Sequence, residues 1–534
     1  MRSFKGNVQK HYSEKKRKCQ RKLFPGFEIY MLCKVCYNSR VLTNNKEGRP
    51  ILVQMNLIRR FFSPEFLVKP EQRLAEIPDG KTAYRDVIHI ALPSIIEMVL
   101  MSLIGSVDTM MVGNFLGAEA LSSVGLPTQP RMLLLCLFFA LNVGVTAIVA
   151  RRKGEERRED ANCTLRNALM LAFGLSLLMT LAAVLFAEPL MHLAGGDQSE
   201  SKKVLDDAID YFRIMTYALP VNALSMCICA AQRGIGRTRI TMWVNIASNL
   251  TNVFFNYCLI GGNLGFPRLE VRGAAIASVI GMGVGLILAL GTVMIGGKHK
   301  GYLHLSIHDR WRFEKESLQS IIKVGGNAAI EQLGVRFGFF IYARILFSLG
   351  TTQYAANQIC MQLLNLTFTF GDGLGVAGTA LVGQNMGRGR PDLSLLYGKI
   401  CQRYAMMISL VLGIAIVALR HELASWFIGE NTPNAGQVMA YAADTMLVLA
   451  AVQPFQTSVV VLSGSLRGAG DNLYVALVST VCVSVIRPVM ALIAVNVLHL
   501  GLTGTWIFGL AEIALRAAFF YPRFASGKWK NKKV

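Results

Sequence analysis

Glu97, Asp108, Glu331, Arg336 and Arg487 all fall inside apolar stretches long enough to cross a bilayer. A charge in hydrocarbon costs at least about 2.5 kcal/mol on insertion scales, so each of these groups needs a partner, a proton or a ligand. Arg336 and Arg487 sit near the middle of their stretches, with Arg344, Asp372, Glu512 and Arg516 in the same half of the chain. They can pair with one another or receive an anionic substrate group. Asn252 and Asn256 are four apart, so a helix places both amides on one face. No histidine falls in mid-stretch and no paired aspartate motif occurs, so the residues offer no catalytic constellation and an enzyme is not expected. Cys33 and Cys36 form one C-x-x-C with Cys19 upstream, but a fourth ligand at suitable spacing is missing and no metal site is expected. The glycine-rich RGIGRT and RGAGDN lack the lysine-serine ending of a nucleotide loop.

The elements that hold these groups are set by the solvent. The chain is 53% hydrophobic and 16% charged, too apolar for a water-facing surface of this length. Apolar segments recur at about 86–112, 119–150, 163–187, 204–232, 240–261, 270–297, 318–349, 351–383, 399–420, 437–466, 473–498 and 501–522. The fold class expected is therefore all-α, a polytopic membrane protein with twelve transmembrane helices. Lys and Arg crowd the loops after the even-numbered segments, as in Arg151, Arg152, Lys153, Arg233, Arg237, Arg388 and Arg390, which places both termini in the cytoplasm by the positive-inside rule. The net charge of +22 is thus a topology signal, and no nucleic-acid partner is expected.

The two halves repeat. Ile96-Glu97 answers Ile330-Glu331, VGVTAIVARRKG answers VAGTALVGQNMG, and Pro220 with RGIGRT answers Pro454 with RGAGDN, at an offset near 233 residues. Each half has an even number of spans, so the copies share one orientation and form two pseudo-symmetric six-helix lobes. Parallel repeats of this kind place a substrate cavity between the lobes. The organisation expected is a basic cytoplasmic extension with an interfacial segment at 1–85, a first lobe at 86–297, a cytoplasmic linker at 298–317, a second lobe at 318–522 and a basic cytoplasmic tail at 523–534. Residues 1–85 hold 19 Lys and Arg against 7 Asp and Glu and lack a sustained apolar run, which excludes a signal peptide or a first span. Residues 1–54 read as a dispensable extension, with Met55 as an alternative start.

LPSIIEMVLMSLIGSVDTMMVGNFLGAEALSSVGL, NVGVTAIVARRKG, NVFFNYCLIGGNLGFPRLEVRGAAIAS and TALVGQNMGRGRPD together resemble the multidrug and toxic compound extrusion (MATE) transporters, bacterial type, over about residues 86–522. The resemblance implies a monomeric antiporter that expels cationic or amphipathic organic compounds in exchange for sodium ions or protons, without a bound cofactor. Asp108 matches the helix-1 aspartate of that family, and Pro93 the site of a helix bend. Asn252, Asn256 and Ser278 resemble the polar partners of that aspartate. One carboxylate among neutral oxygens suits sodium; the same carboxylate in apolar surroundings suits a proton. Many relatives carry a second aspartate where this chain has Asn256, which leaves the coupling ion open. Glu331 resembles a helix-7 acidic group used for cation or drug binding, and with Glu97, Arg336 and Arg487 it makes up the substrate-cavity set. The competing expectation is a flippase for a lipid-linked saccharide, or an exporter of an anionic compound.

Overall fold

The computed structural model describes residues 41–44, 50–53, 63–64, 67–193, 202–295, 301–306, 308–309, 311–427, 434–530 and 532. Cys19, Cys33, Cys36 and Met55 lie outside the described residues. Two units separate at Phe66 and Leu67. In the first, β1 (Val41–Asn44) and β2 (Pro50–Val53) form an antiparallel hairpin in which Val41 faces Val53 and Asn44 faces Pro50.

The second unit is helical. Among the described residues it has twelve long elements: α1 (Gly80–Leu116), α2 (Glu119–Gly154), α3 (Arg158–Leu185), α4 (Lys202–Tyr217 with Leu219–Gly234), α5 (Thr238–Gly261) and α6 (Glu270–Met294) in the first lobe. The second lobe holds α7 (Lys315–Phe347), α8 (Thr351–Gly387), α9 (Pro391–Ala418), α10 (Ala435–Gly468), α11 (Asn472–Val497) and α12 (Gly501–Ser526). Eight of these are long and apolar enough to cross a membrane on composition, and α4, bent by 48° at its break, makes a ninth. The other three, α5, α7 and α8, have 24, 33 and 37 residues and are long enough to span. They are more polar because they carry Asn252, Asn256, Glu331, Arg336 and Asp372.

Several domain limits shift. Residues 67–79 belong to the helical unit rather than to a separate extension: Leu67 and Val68 are buried, Lys399 Nζ donates to Leu67 O at 2.7 Å, and Leu74 N donates to Asp392 Oδ2 at 3.2 Å. The tail is also packed, since Trp529 is fully buried, stacks on Phe524 at 5.3 Å and donates to its carbonyl at 2.8 Å. The linker is strapped to the first lobe. Leu303 and Leu305 enter its apolar core, His304 N donates to Asn162 Oδ1 at 2.8 Å, and Arg158 Nε donates to Tyr302 O at 2.9 Å. At its end Glu314 exchanges backbone hydrogen bonds with the Asn167 amide of α3. Hydrogen bonds from the Cys163 thiol and the Ser317 hydroxyl hold the Glu314 carboxyl below the usual carboxylate range.

Among the described residues the closest approaches of the lobes lie toward one end. Gly144 of α2 approaches Gly325 of α7, Gly373 of α8 faces Ile95 of α1, and the backbones of Gly154 and Arg151 abut those of Gln384 and Gly387. Gln384 Nε2 donates across the seam to Gly234 O at 2.9 Å. Only glycine lets α2 and α8 cross this closely, because a Cβ at Gly154 or Gly387 would overlap backbone atoms. All these residues lie toward the end that carries the basic loops. Toward the other end most side chains of α1 from Met101 to Phe115 are exposed, and the lobes part.

Candidate cation site and inter-lobe cleft

The close packing of α5 against α6 places the polar cluster. Gly273, Ala277, Gly281 and Gly285 recur every four residues on α6, so small side chains face α5 along one stripe. A Cβ on Gly281 would sit 2.7 Å from Ser248 O and 3.0 Å from Asn252 Cβ, and Ser248 Oγ donates to Gly281 O at 2.7 Å. Asn252 is thereby held beside Ser278, and Asn256 one turn further along the same face.

Asp108 completes the cluster from α1. Asn256 Nδ2 donates to its Oδ1 at 2.8 Å. The Asn252 amide satisfies all its neighbours when its nitrogen faces Asp108, at 2.8 and 2.9 Å from the two oxygens, and its oxygen accepts from Ser278 N at 3.2 Å and Oγ at 3.0 Å. Two amide N–H groups then converge on one carboxylate, the arrangement that suits its ionised form. Asn256 Oδ1 is buried and has no hydrogen-bond partner. The four residues expected to meet do so, on the side where the lobes part. Rotated amides would offer carbonyl oxygens to a hard cation, which is the chemistry of a sodium site.

Pro93 lies inside α1, which runs unbroken through it. Nearby, Ile90 O accepts from Thr238 Oγ1 of α5 at 2.9 Å, so a side chain from another helix serves the backbone beside the proline.

Three of the four residues expected to line the substrate cavity are instead turned into the lobes. Glu97, 1% exposed, accepts from Arg233 Nη1 at 3.3 Å, Thr241 Oγ1 at 2.8 Å and Asn245 Nδ2 at 2.6 Å. Glu331 is 6% exposed and accepts from Arg467 Nη2 at 2.7 Å. The pairs are copies of each other, each with its partners 136 residues apart. The reason is local: each arginine stands near the inner end of its helix and reaches a buried carboxylate that offsets its charge. Arg487 is likewise buried, donating from Nε to Glu512 Oε2 at 3.0 Å, with Arg516 Nε 3.2 Å from Oε1 and the rings of Phe339 and Tyr342 against its guanidinium. Mutual pairing thus accounts for Arg487. Arg336 alone of the set is exposed, within electrostatic reach of Cys136 on α2, and stands between the lobes.

Neither a motif nor the internal repeat marks Arg131. It lies within the second apolar stretch, where a lone charge is itself a signal, and it acts electrostatically on Asp108. Arg233 is visible in the sequence only as a loop charge and Arg467 only as the head of RGAGDN; their equal spacing from Glu97 and Glu331 is what marks them.

The model of the MatE family matches residues 93–258 and again 328–493, one copy in each lobe. The chain belongs to the MatE family. The probable multidrug resistance protein NorM of Thermotoga maritima is 28% identical over 462 residues, covering 86% of this chain and 95% of its own length. The protein of the same name from Pseudomonas putida is 25% identical, covering 85% and 96%. Among solved structures, an outward-facing multidrug resistance MATE transporter of the MOP superfamily superposes with a TM-score of 0.76 at 21% identity, over 84% of this chain and 97% of that one. A MOP superfamily transporter from Pyrococcus furiosus, described as having a binding pocket of reverse polarity, gives 0.77 at 20% identity over the same shares. The two six-helix lobes are therefore those of this fold, and the MatE chain is a membrane transporter rather than an enzyme.

Proposed function

We propose that this MatE protein is a secondary active exporter that exchanges cationic or amphipathic organic compounds for sodium ions or protons by alternating access. It works as a monomer in the cell membrane, with both termini cytoplasmic. The observation that carries the reading is Asp108, a carboxylate at membrane depth held by amides of one lobe and set where the lobes part. The names of the NorM relatives support drug export, and the basic loops at the joined end support a cytoplasmic seal with the cleft open outward. Binding the ion at Asp108 biases the lobe arrangement, and the substrate uses the same two arrangements in the opposite sense. Pro93 is the point at which α1 can bend between them.

Arg336 favours a second reading, in which the exported compound carries an anionic group, because it is an exposed cation on α7 while Glu97 and Glu331 are neutralised inside the lobes. The test is efflux from proteoliposomes of ethidium and, separately, of an anionic dye, with sodium and pH gradients imposed one at a time. Ethidium efflux under either gradient, lost in Asp108→Asn, is the expected result. Gradient-driven ethidium efflux at normal rate in Asp108→Asn refutes the assignment of coupling to Asp108, and transport of the anionic dye alone replaces the cation reading with the second one.

A further inference from the structure

Arg131 sits in the first turns of the main segment of α2 and, with Met215 and Asn222 of α4 and Met282 of α6, lines a small cavity inside the first lobe. Met215 and Met282 also pack in an apolar cluster with Tyr211 and Val112. Val112 is one helical turn beyond Asp108 and Met282 one turn beyond Ser278, so the cavity lies beside the polar cluster rather than at a distance from it. The buried Tyr211 hydroxyl stands against Arg131 and within electrostatic reach of Asp108. Arg131 is itself within electrostatic reach of Asp108. It is committed to no carboxylate at ion-pair distance among the described residues, and its guanidinium is hydrogen-bonded to the Tyr211 hydroxyl.

The cluster itself holds one carboxylate, with an amide at Asn256. An ionised Asp108 is stabilised by the two amide N–H groups and by the positive field of Arg131. An arriving cation must turn the amides over, using the unpartnered Asn256 Oδ1, and must also overcome that field. We propose that Arg131 is a tethered counter-cation for Asp108, a specificity-determining residue that competes with the coupling ion, weakens its binding and speeds its release. The inference rests on the reading of Asp108 as the coupling group.

The test measures ethidium efflux from proteoliposomes against the concentration of the coupling ion, sodium or proton, in Arg131→Gln, Arg131→Lys and Tyr211→Phe. Arg131→Gln is expected to lower the half-saturating ion concentration by about 5- to 150-fold, the range of typical site couplings, and to lower the maximal rate because release slows. Arg131→Lys keeps the charge and stays near the parent values. Tyr211→Phe, a milder change that removes only the hydroxyl steadying Arg131, shifts half-saturation in the same direction by less. In an Asp108→Asn background, ion-dependent binding is lost and Arg131→Gln changes nothing further in equilibrium substrate binding. An unchanged half-saturation in Arg131→Gln, or in Tyr211→Phe should the first variant not fold, overturns the proposal. So does a shift that persists without the Asp108 carboxylate. Coupling retained in Asp108→Asn alone sinks the reading of Asp108 instead, and that outcome is separate.

Discussion

Replacing Gly154 by alanine should push the two-lobed equilibrium away from the arrangement described here. The added Cβ would overlap the Gln384 carbonyl, and backbone, unlike a side-chain tip, cannot swing aside. Inserting a methyl group into a packed contact costs about 1 to 3 kcal/mol. Where the joined end opens, the same methyl meets no partner, and alanine improves the helix by about 0.5 to 1 kcal/mol over glycine in either arrangement. That helix gain cancels between the two arrangements, so the difference stays at about 1 to 3 kcal/mol, or about a 5- to 150-fold shift toward the arrangement parted at the basic end. Spin labels at the exposed Glu156 and Arg388, on the two sides of the seam, report it as distance distributions. The parent protein should show a dominant short distance and Gly154→Ala a larger long-distance population, with Gly387→Ala acting in the same sense against Arg151. An unchanged distribution in a folded Gly154→Ala protein would refute the idea that this crossing sets the closed end.

Arg233→Met leaves the nearly inaccessible Glu97 carboxylate without its cation and should destabilise the protein by about 3 to 5 kcal/mol in thermal unfolding, whereas Glu97→Gln combined with Arg233→Met recovers most of the loss; equal losses in the single and double variants would show that the pair is not the cause. Deleting residues 1–54 should leave ethidium efflux intact, because the family matches begin at residue 93 and the packed helical unit at Leu67; lost efflux in a correctly inserted deletion protein would assign the segment a role. Cysteine labelling should find 151–160 and 298–315 accessible from the cytoplasmic side and 188–203 from outside, and labelling of the first two from outside intact cells would reverse the topology. Acidification should loosen the linker strap, since the Glu314 carboxyl titrates below the ordinary range and its contribution, present above the unfolded value, is lost as pH falls through the folded one; hydrogen exchange at 301–314 that does not rise at low pH would contradict this.

The spans were legible because hydropathy and repeat spacing report on the solvent a segment faces. The fifth and sixth stretches, read at 240–261 and 270–297, are helices at Thr238–Gly261 and Glu270–Met294. Hydropathy is blind where a helix begins in polar residues. The ninth span starts at Pro391 rather than 399, because proline fits the first turn and Asp392 pairs with Arg390 at 2.8 Å. Meeting of Asp108 with Asn252, Asn256 and Ser278 could be anticipated from the resemblance, since helical spacing fixes their faces. The direction of Glu97 and Glu331 could not, because periodicity places a residue on a helix without saying which neighbour approaches it. Arg233 was visible only as a loop charge and Arg467 only as the head of RGAGDN, and no motif marks Arg131 inside its apolar run.

The strap that binds residues 301–314 to α3 makes the connection between the lobes a short pivot. Slack that a free linker would absorb is removed, so α7 works as a lever whose fulcrum is the pairing of the Glu314 backbone with the Asn167 side-chain amide. With 33 residues, that arm is about 50 Å long. A rotation of about 15°, of the size seen in subunit transitions, moves its far end by about 13 Å while the fulcrum hardly travels. Rotation about that fulcrum is therefore delivered as a wide gape at one mouth and a narrow parting at the other, and the two openings need not be of equal bore.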